Sequence, residues 1–210
     1  MISIQTHDLG KRFGREWIFR TLNLHLEKSD KLVITGSNGS GKSTLLQILS
    51  GYVLPTEGII SWKDNHGSEV AKENIFKHVS IASPALELIE EFTPLELIKH
   101  QRCFKSFQGN LSDLDLIEIA LLSPHKNKVI KNFSSGMKQR LKLTLAVVAD
   151  ASLLLLDEPI INLDHNGIEW YKELIKTRAL HKTIIVCSNK QKDEYEFCSR
   201  EISIDDFKLK

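Results

Sequence analysis

One stretch constrains the fold of this chain more than any other: Lys31 to Ser43, KLVITGSNGSGKS. Lys31 to Thr35 is short, apolar and β-branched, and reads as a buried strand. Gly36 to Ser43 then follows the pattern G-x-x-x-x-G-K-[ST]. Gly36, Gly39 and Gly41 let a backbone running through Ser37, Asn38 and Ser40 turn its N–H groups towards one point. Lys42 to Ser50, with Thr44 in its first turn, reads as a helix whose positive N-terminal end faces the same point. This is a phosphate cradle, with Lys42 placed for the β- and γ-phosphates of a nucleotide and the Ser43 hydroxyl for Mg²⁺. A chance match is expected in about one chain in a hundred, and the strand-before, helix-after context makes chance a poor account.

The remaining pattern supports an α/β fold with a mainly parallel core sheet. Gly58 to Trp62, Val79 to Ala82, Leu153 to Leu156, Thr183 to Ser188 and Glu201 to Ile204 read as further strands. Ile2 and Ile4, and then Leu22, Leu24 and Leu26, alternate with polar residues as half-buried strands do. Ser134 to Val148, capped by Ser134, and Gly167 to Leu180 read as helices. Pro94 to Phe104 and Ser112 to Leu122 carry helical spacing, the second through Leu114, Ile117 and Leu121. Residues 1–210 are thus expected to form a single domain, with a helical lobe inserted at about residues 84–133.

Bulk properties narrow the partners. Lys and Arg number 28 against 27 Asp and Glu, a formal net charge of +1, which argues against an extended basic surface, so no nucleic acid is expected. The three cysteines, Cys103, Cys187 and Cys198, lack metal spacing and fit reduced thiols in a cytosol. No apolar run approaches the ~18 residues that span a bilayer, and the N-terminus has no signal-peptide segment. Work at a membrane would therefore require docking onto another chain.

Leu153 to Glu158, LLLLDE, delivers two carboxylates to the carboxyl edge of the sheet, where ligands bind in open α/β folds. Asp157 is placed for the magnesium shell and Glu158 for the attacking water as general base; Pro159 ends the strand.

Phe133 to Arg140, FSSGMKQR, lies shortly before that strand, and Asp157 to Asp164 reads DEPIINLD. With the cradle, these segments resemble the ATP-binding cassette (ABC) ATPases: the first is similar to their leucine-serine-glycine-glycine-glutamine signature, the second to their acidic strand end running into the D-loop. The resemblance runs from about residue 2 to 205. It implies a P-loop NTPase fold of ABC type with an N-terminal antiparallel β subdomain, ATP and Mg²⁺ as ligands, and a head-to-tail homodimer or pseudo-dimer. In that pair Ser134, Ser135 and Gly136 of one copy face the γ-phosphate held by the other. It also implies an aromatic platform for adenine, at Phe13 or alternatively Trp17.

The sequence departs from the family pattern at four places. Ser83 stands nearest the usual glutamine of the magnesium shell, and is short enough that a water would have to bridge to the metal. Asn189 stands where a histidine is usual; an amide donates a hydrogen bond to a phosphate oxygen but carries no charge. Ser135 replaces the first signature glycine and Met137 the glutamine.

The resemblance implies an ATP-hydrolysing subunit powering translocation through a separate transmembrane permease subunit. Such a subunit is cytoplasmic, peripheral on the inner face of the cell membrane, and the compact single cassette leans towards export. Glu87 to Phe92, ELIEEF, falls where family members meet their membrane partner, although an acidic solvated turn would read the same. The alternative is a soluble or regulatory ABC module that closes on ATP with little or no hydrolysis, which Ser83 and Asn189 motivate and Glu158 opposes.

Overall fold

The computed structural model describes residues 2–208. Two sheets form. The core sheet is parallel throughout, in the order β5-β6-β7-β3-β8, with β3 at Lys31–Thr35, β5 at Val79–Ala82, β6 at Leu153–Asp157, β7 at Thr183–Ser188 and β8 at Arg200–Ser203. The second sheet is antiparallel, with β1 (Ser3–Phe13) between β2 (Glu16–Leu26) and β4 (Glu57–Lys63). This is the mainly parallel α/β architecture with an N-terminal antiparallel part that the sequence leads one to expect.

The side-chain pattern explains the layering. Every residue of β6 and β7 is buried. Leu153 and Leu155 face one core, with β1, β2 and helix α1 (Lys42–Leu49), while Leu154 and Leu156 face a second, with helices α4 (Ser135–Val148) and α5 (His165–Arg178). A strand covered on both faces has no reason to alternate with polar residues, hence LLLL. In β2, by contrast, Leu22, Leu24 and Leu26 are buried between exposed Asn23 and His25.

A third core joins α2 (Pro94–Arg102) and α3 (Asp113–Ile119) to α4: Leu97, Ile98, Leu116 and Ile117 meet Leu141, Leu145 and Val148. One expectation fails here. The spacing Leu114, Ile117, Leu121 does not mark the buried face, because Leu114 and Leu121 are more than half exposed. The inward set is Leu116, Ile117 and Ala120, and Leu121 lies past the helix with φ 56°, so its side chain turns away. Helix α5 likewise begins at His165 rather than Gly167, because Asp164 caps it by accepting from the Gly167 N–H at 2.8 Å. It ends before Leu180, which is exposed.

Helix α4 is therefore packed on two sides. Its far end is tied by Lys182, fully buried, which donates to the carbonyls of Val147 (2.8 Å) and Ala149 (2.6 Å). Burial pulls that ammonium down to about 8.

Candidate nucleotide site

The loop between β3 and α1 lines a cavity of about 300 Å³ together with Ile18 and Glu158. Asn38, Gly39, Ser40, Gly41, Lys42, Ser43 and Thr44 all reach it. Two glycines are dictated by space. A Cβ on Gly36 would sit 2.5 Å from the Ile204 side chain and 2.6 Å from the Ser40 hydroxyl oxygen. Gly41 has φ 104°, and a Cβ there would sit 2.3 Å from Cγ2 of Ile18. Lys42 is 4% exposed, its Nζ held by the carbonyls of Gly36 (2.8 Å) and Ser37 (3.1 Å).

The start of α1 differs from the other helix starts. Thr93, Ser112, Ser134 and Asp164 cap α2, α3, α4 and α5 with side-chain oxygens. Alone among these described α-helices, α1 has a glycine at its N-cap and no side-chain cap. Its first N–H groups, which no intrahelical carbonyl can satisfy, are aimed into the cavity beside a buried ammonium. An anion of phosphate size and charge suits that combination.

The carboxyl edge supplies the rest. Asp157 is 5% exposed and accepts from the Ser83 hydroxyl at 3.1 Å, so two of the three expected magnesium-shell residues are directly joined. Glu158 lines the cavity with a left-handed backbone, φ 45°, and its N–H donates to Cys187 O at 2.9 Å. A non-glycine residue held there costs about 1–3 kcal/mol and needs surroundings that enforce it. Asn189, exposed, follows Ser188, which pairs in register with Thr35 just before the loop; it shares this edge of the sheet but does not line the cavity.

Other expected residues lie elsewhere. Ser134, Ser135 and Gly136 open α4, with Ser134 accepting from the Met137 N–H at 3.2 Å, and none of them lines the cavity. Gly136 lies against the D-loop, where a Cβ would be 3.0 Å from Asn162 O. Phe13 is 54% exposed at the end of β1, with the Lys11 ammonium 4.9 Å from its ring, and it does not line the cavity either. The guanidinium groups of Arg12 and Arg20 lie 5.3 and 4.3 Å from the centroid of the Trp17 ring. Ile18 was missed from sequence: in β2 it is one more partly buried β-branched residue, and nothing local ties it to a loop 23 positions further on.

The fold and the cradle define a P-loop nucleotide-binding domain. The sequence profile of the ABC transporter family matches residues 19–161. The chain is 30% identical over 197 residues to the uncharacterized ABC transporter ATP-binding protein YybJ of Bacillus subtilis (strain 168), covering 93% of this chain and 89% of that one. It is 32% identical over 199 residues to the lantibiotic transport ATP-binding protein SrtF of Streptococcus pyogenes, covering 90% and 80%. Its fold matches the ATP-binding cassette MJ0796, solved as a dimer in a post-hydrolysis state bound to ADP and Pi, with a TM-score of 0.81 at 23% identity over 99% of this chain and 96% of that one. The chain belongs to the ABC transporter family and is an ATP-binding, ATP-hydrolysing domain of it.

Proposed function

We infer that the chain is the ATPase subunit of a transporter whose membrane-spanning permease is a separate chain. The carrying observation is the separation within one molecule of the cradle from the α4 N-terminus. A site that uses both must be built from two copies facing head to tail. In each half, the Gly36–Thr44 loop and the α1 N-terminus hold the phosphates, and Lys42 spans the β- and γ-groups. Ser43 and Asp157, the latter joined to Ser83, would hold Mg²⁺. When bound, Mg²⁺ supplies Lewis-acid polarisation of the phosphoryl oxygens. Glu158 takes the proton of the attacking water, and Asn189 donates a neutral hydrogen bond to the γ-phosphate. Ser134 and the N–H groups of Ser135 and Gly136 close over the same phosphate from the second copy.

The permease reading is supported by a groove of about 480 Å³ between β5, the α2 region and α4. At its rim Phe76, Leu86 and Phe104 are 57%, 45% and 71% exposed, with Glu87, Lys105 and Lys142 among them. Leu86 lies three residues after Ser83, so a partner seated in the groove would press near the magnesium shell. A subunit docked on such a permease would work at the cytoplasmic face of a membrane; among the described residues no helix is long and apolar enough to cross one. The single domain, with the α2–α3 region as its helical lobe, belongs to the same reading.

Purification from native membranes with Glu158→Gln and MgATP tests it. The expected product is a dimer retaining two nucleotides, accompanied by an integral membrane chain that Phe104→Asp releases. A nucleotide-loaded monomer by light scattering would refute the shared site.

A further inference from the structure

Ser83 is the first residue past β5, which ends at Ala82. Ala82 pairs with Leu156 in the parallel register of β5 and β6, so Ser83 and Asp157 stand side by side at the carboxyl edge of the sheet. Both are buried. Neighbouring strands run about 4.8 Å apart, a gap that the two short side chains close with the 3.1 Å hydrogen bond from the Ser83 hydroxyl to Oδ2 of Asp157. Among the described residues that hydroxyl is the one hydrogen-bond donor to the Asp157 carboxylate, and no Lys, Arg or His forms an ion pair with it. A carboxylate at such depth is normally paired or bound to a metal. Asp157 therefore fits a divalent cation.

The cradle lies on the other side of Asp157 from Ser83. In the sheet order, β7 flanks β6 on the side away from β5. The Cys187 thiol of β7 donates to the Lys42 carbonyl at 3.5 Å, which sets the start of α1, and with it Ser43, over β7. From β5 to β7 is two strand spacings, about 9–10 Å, far more than a serine side chain covers. The Ser83 hydroxyl is also committed. Its single proton goes to Asp157, and its oxygen accepts from the Ala85 N–H at 3.3 Å. The Ser83 carbonyl accepts from the Leu86 N–H at 3.1 Å. The turn that carries Leu86, Glu87 and Leu88 into the groove is thus built on the same serine.

We propose that Ser83 is a positioning residue outside the magnesium shell: it fixes the orientation of the Asp157 carboxylate by one hydrogen bond and acts on the metal only through Asp157. This rests on the reading of Asp157 as a magnesium ligand given above. A carboxylate binds a cation best when a neighbour already holds its orientation, because the ordering is done before the metal arrives. Ser83 holds Oδ2 and leaves Oδ1 without a hydrogen bond from any described residue. It replaces direct contact with the metal by control over the residue that makes that contact.

The test is a double-mutant cycle read by Mn²⁺ binding. Electron paramagnetic resonance follows Mn²⁺ binding to the protein with a non-hydrolysable ATP analogue, for wild type, Ser83→Ala, Asp157→Ala and the double variant. Ser83→Ala is expected to weaken Mn²⁺ binding by roughly 10- to 100-fold, the usual cost of removing the partner that orients a metal ligand. Affinity for the analogue without metal should stay at the wild-type value, because the cradle is untouched. In the Asp157→Ala background the same change should alter Mn²⁺ affinity by less than about twofold. Wild-type Mn²⁺ affinity in Ser83→Ala overturns the proposal. So does an equal loss in both backgrounds, since Ser83 would then act on the metal without Asp157. If the alanine variant does not fold, Ser83→Cys, close in size but a weak donor, takes its place in the cycle. A thiolate–Cd²⁺ absorption band gained in Ser83→Cys over wild type puts the side chain within the shell and overturns the proposal too. If Asp157→Ala binds Mn²⁺ like wild type, the reading of Asp157 falls and this one with it. If Asp157→Ala loses Mn²⁺ while Ser83→Ala keeps it, only the role of Ser83 is lost.

Discussion

Gly41→Ala tests whether the geometry of the cradle is enforced by its neighbour Ile18. Two costs add. The backbone at φ 104° penalises an L side chain by about 1–3 kcal/mol, and the new Cβ overlaps Ile18 Cγ2 at 2.3 Å. Relieving such overlap typically costs a further ~1–3 kcal/mol. The variant should therefore lose roughly 2–6 kcal/mol, and in a domain of this size each kcal/mol lowers Tm by about 2–4 °C. Ile18→Ala removes the overlapping methyl but not the backbone penalty. The double variant should accordingly be about 1–3 kcal/mol more stable than the sum of the single effects predicts. Urea denaturation of the four proteins gives the cycle, and nucleotide titration reports whether the start of α1 returns to place. Additivity within about 0.5 kcal/mol would show that the two residues do not press on one another, and would undo the argument.

Lys42→Ala removes a charge expected to touch two phosphates at about 1.5–3 kcal/mol each, so MgATP affinity measured by calorimetry should fall by roughly 10²- to 10⁴-fold; a fall below threefold would take the lysine out of the site. Glu158→Gln should reduce turnover by about 10²–10⁴, and Asn189→Ala by less, since a neutral donor contributes about half as much as a charged one; a phosphate-release assay that ranks them in the reverse order would reassign the two roles. Ser134→Ala should lower stability by about 0.5–2 kcal/mol through the lost cap and also abolish the nucleotide-trapped dimer seen by light scattering, whereas loss of stability with dimerisation intact would leave Ser134 with its capping task only.

Features that depend on local pattern were legible in the sequence. KLVIT and LLLL become buried strands because each is a short, largely apolar run bounded by turn residues, and the loop after KLVIT announces itself through its glycines. What depends on distant packing was not legible. Leu114, Ile117 and Leu121 have helical spacing, yet the buried face is set by where α4 lies, and that shifts it to Leu116, Ile117 and Ala120. Ile18 belongs to the cavity because β2 crosses beneath Gly41, a contact between residues 23 positions apart. Glu194 is invisible among Lys192, Asp193 and Glu196, because only the folded turn decides which of these acids points inward.

Helix α4 carries a mechanical consequence. An element with one apolar stripe can be peeled from its support; α4 has Leu143, Ala146 and Val147 sunk in one core and Leu141, Leu145 and Val148 in another, so leaving either side would open a void. It behaves as a stiff rod seized on both flanks. Lys142, Leu145 and Ala146 of that rod line the apolar groove, and Ser135 stands at its other end, about 15 Å away at 1.5 Å per residue. A push delivered on Lys142, Leu145 and Ala146 meets the rod itself rather than the loop at Leu86–Leu88 that also lines the groove. On the function proposed above, it would arrive at Ser134–Gly136, and the closing of two copies over a nucleotide would send the same load back the other way.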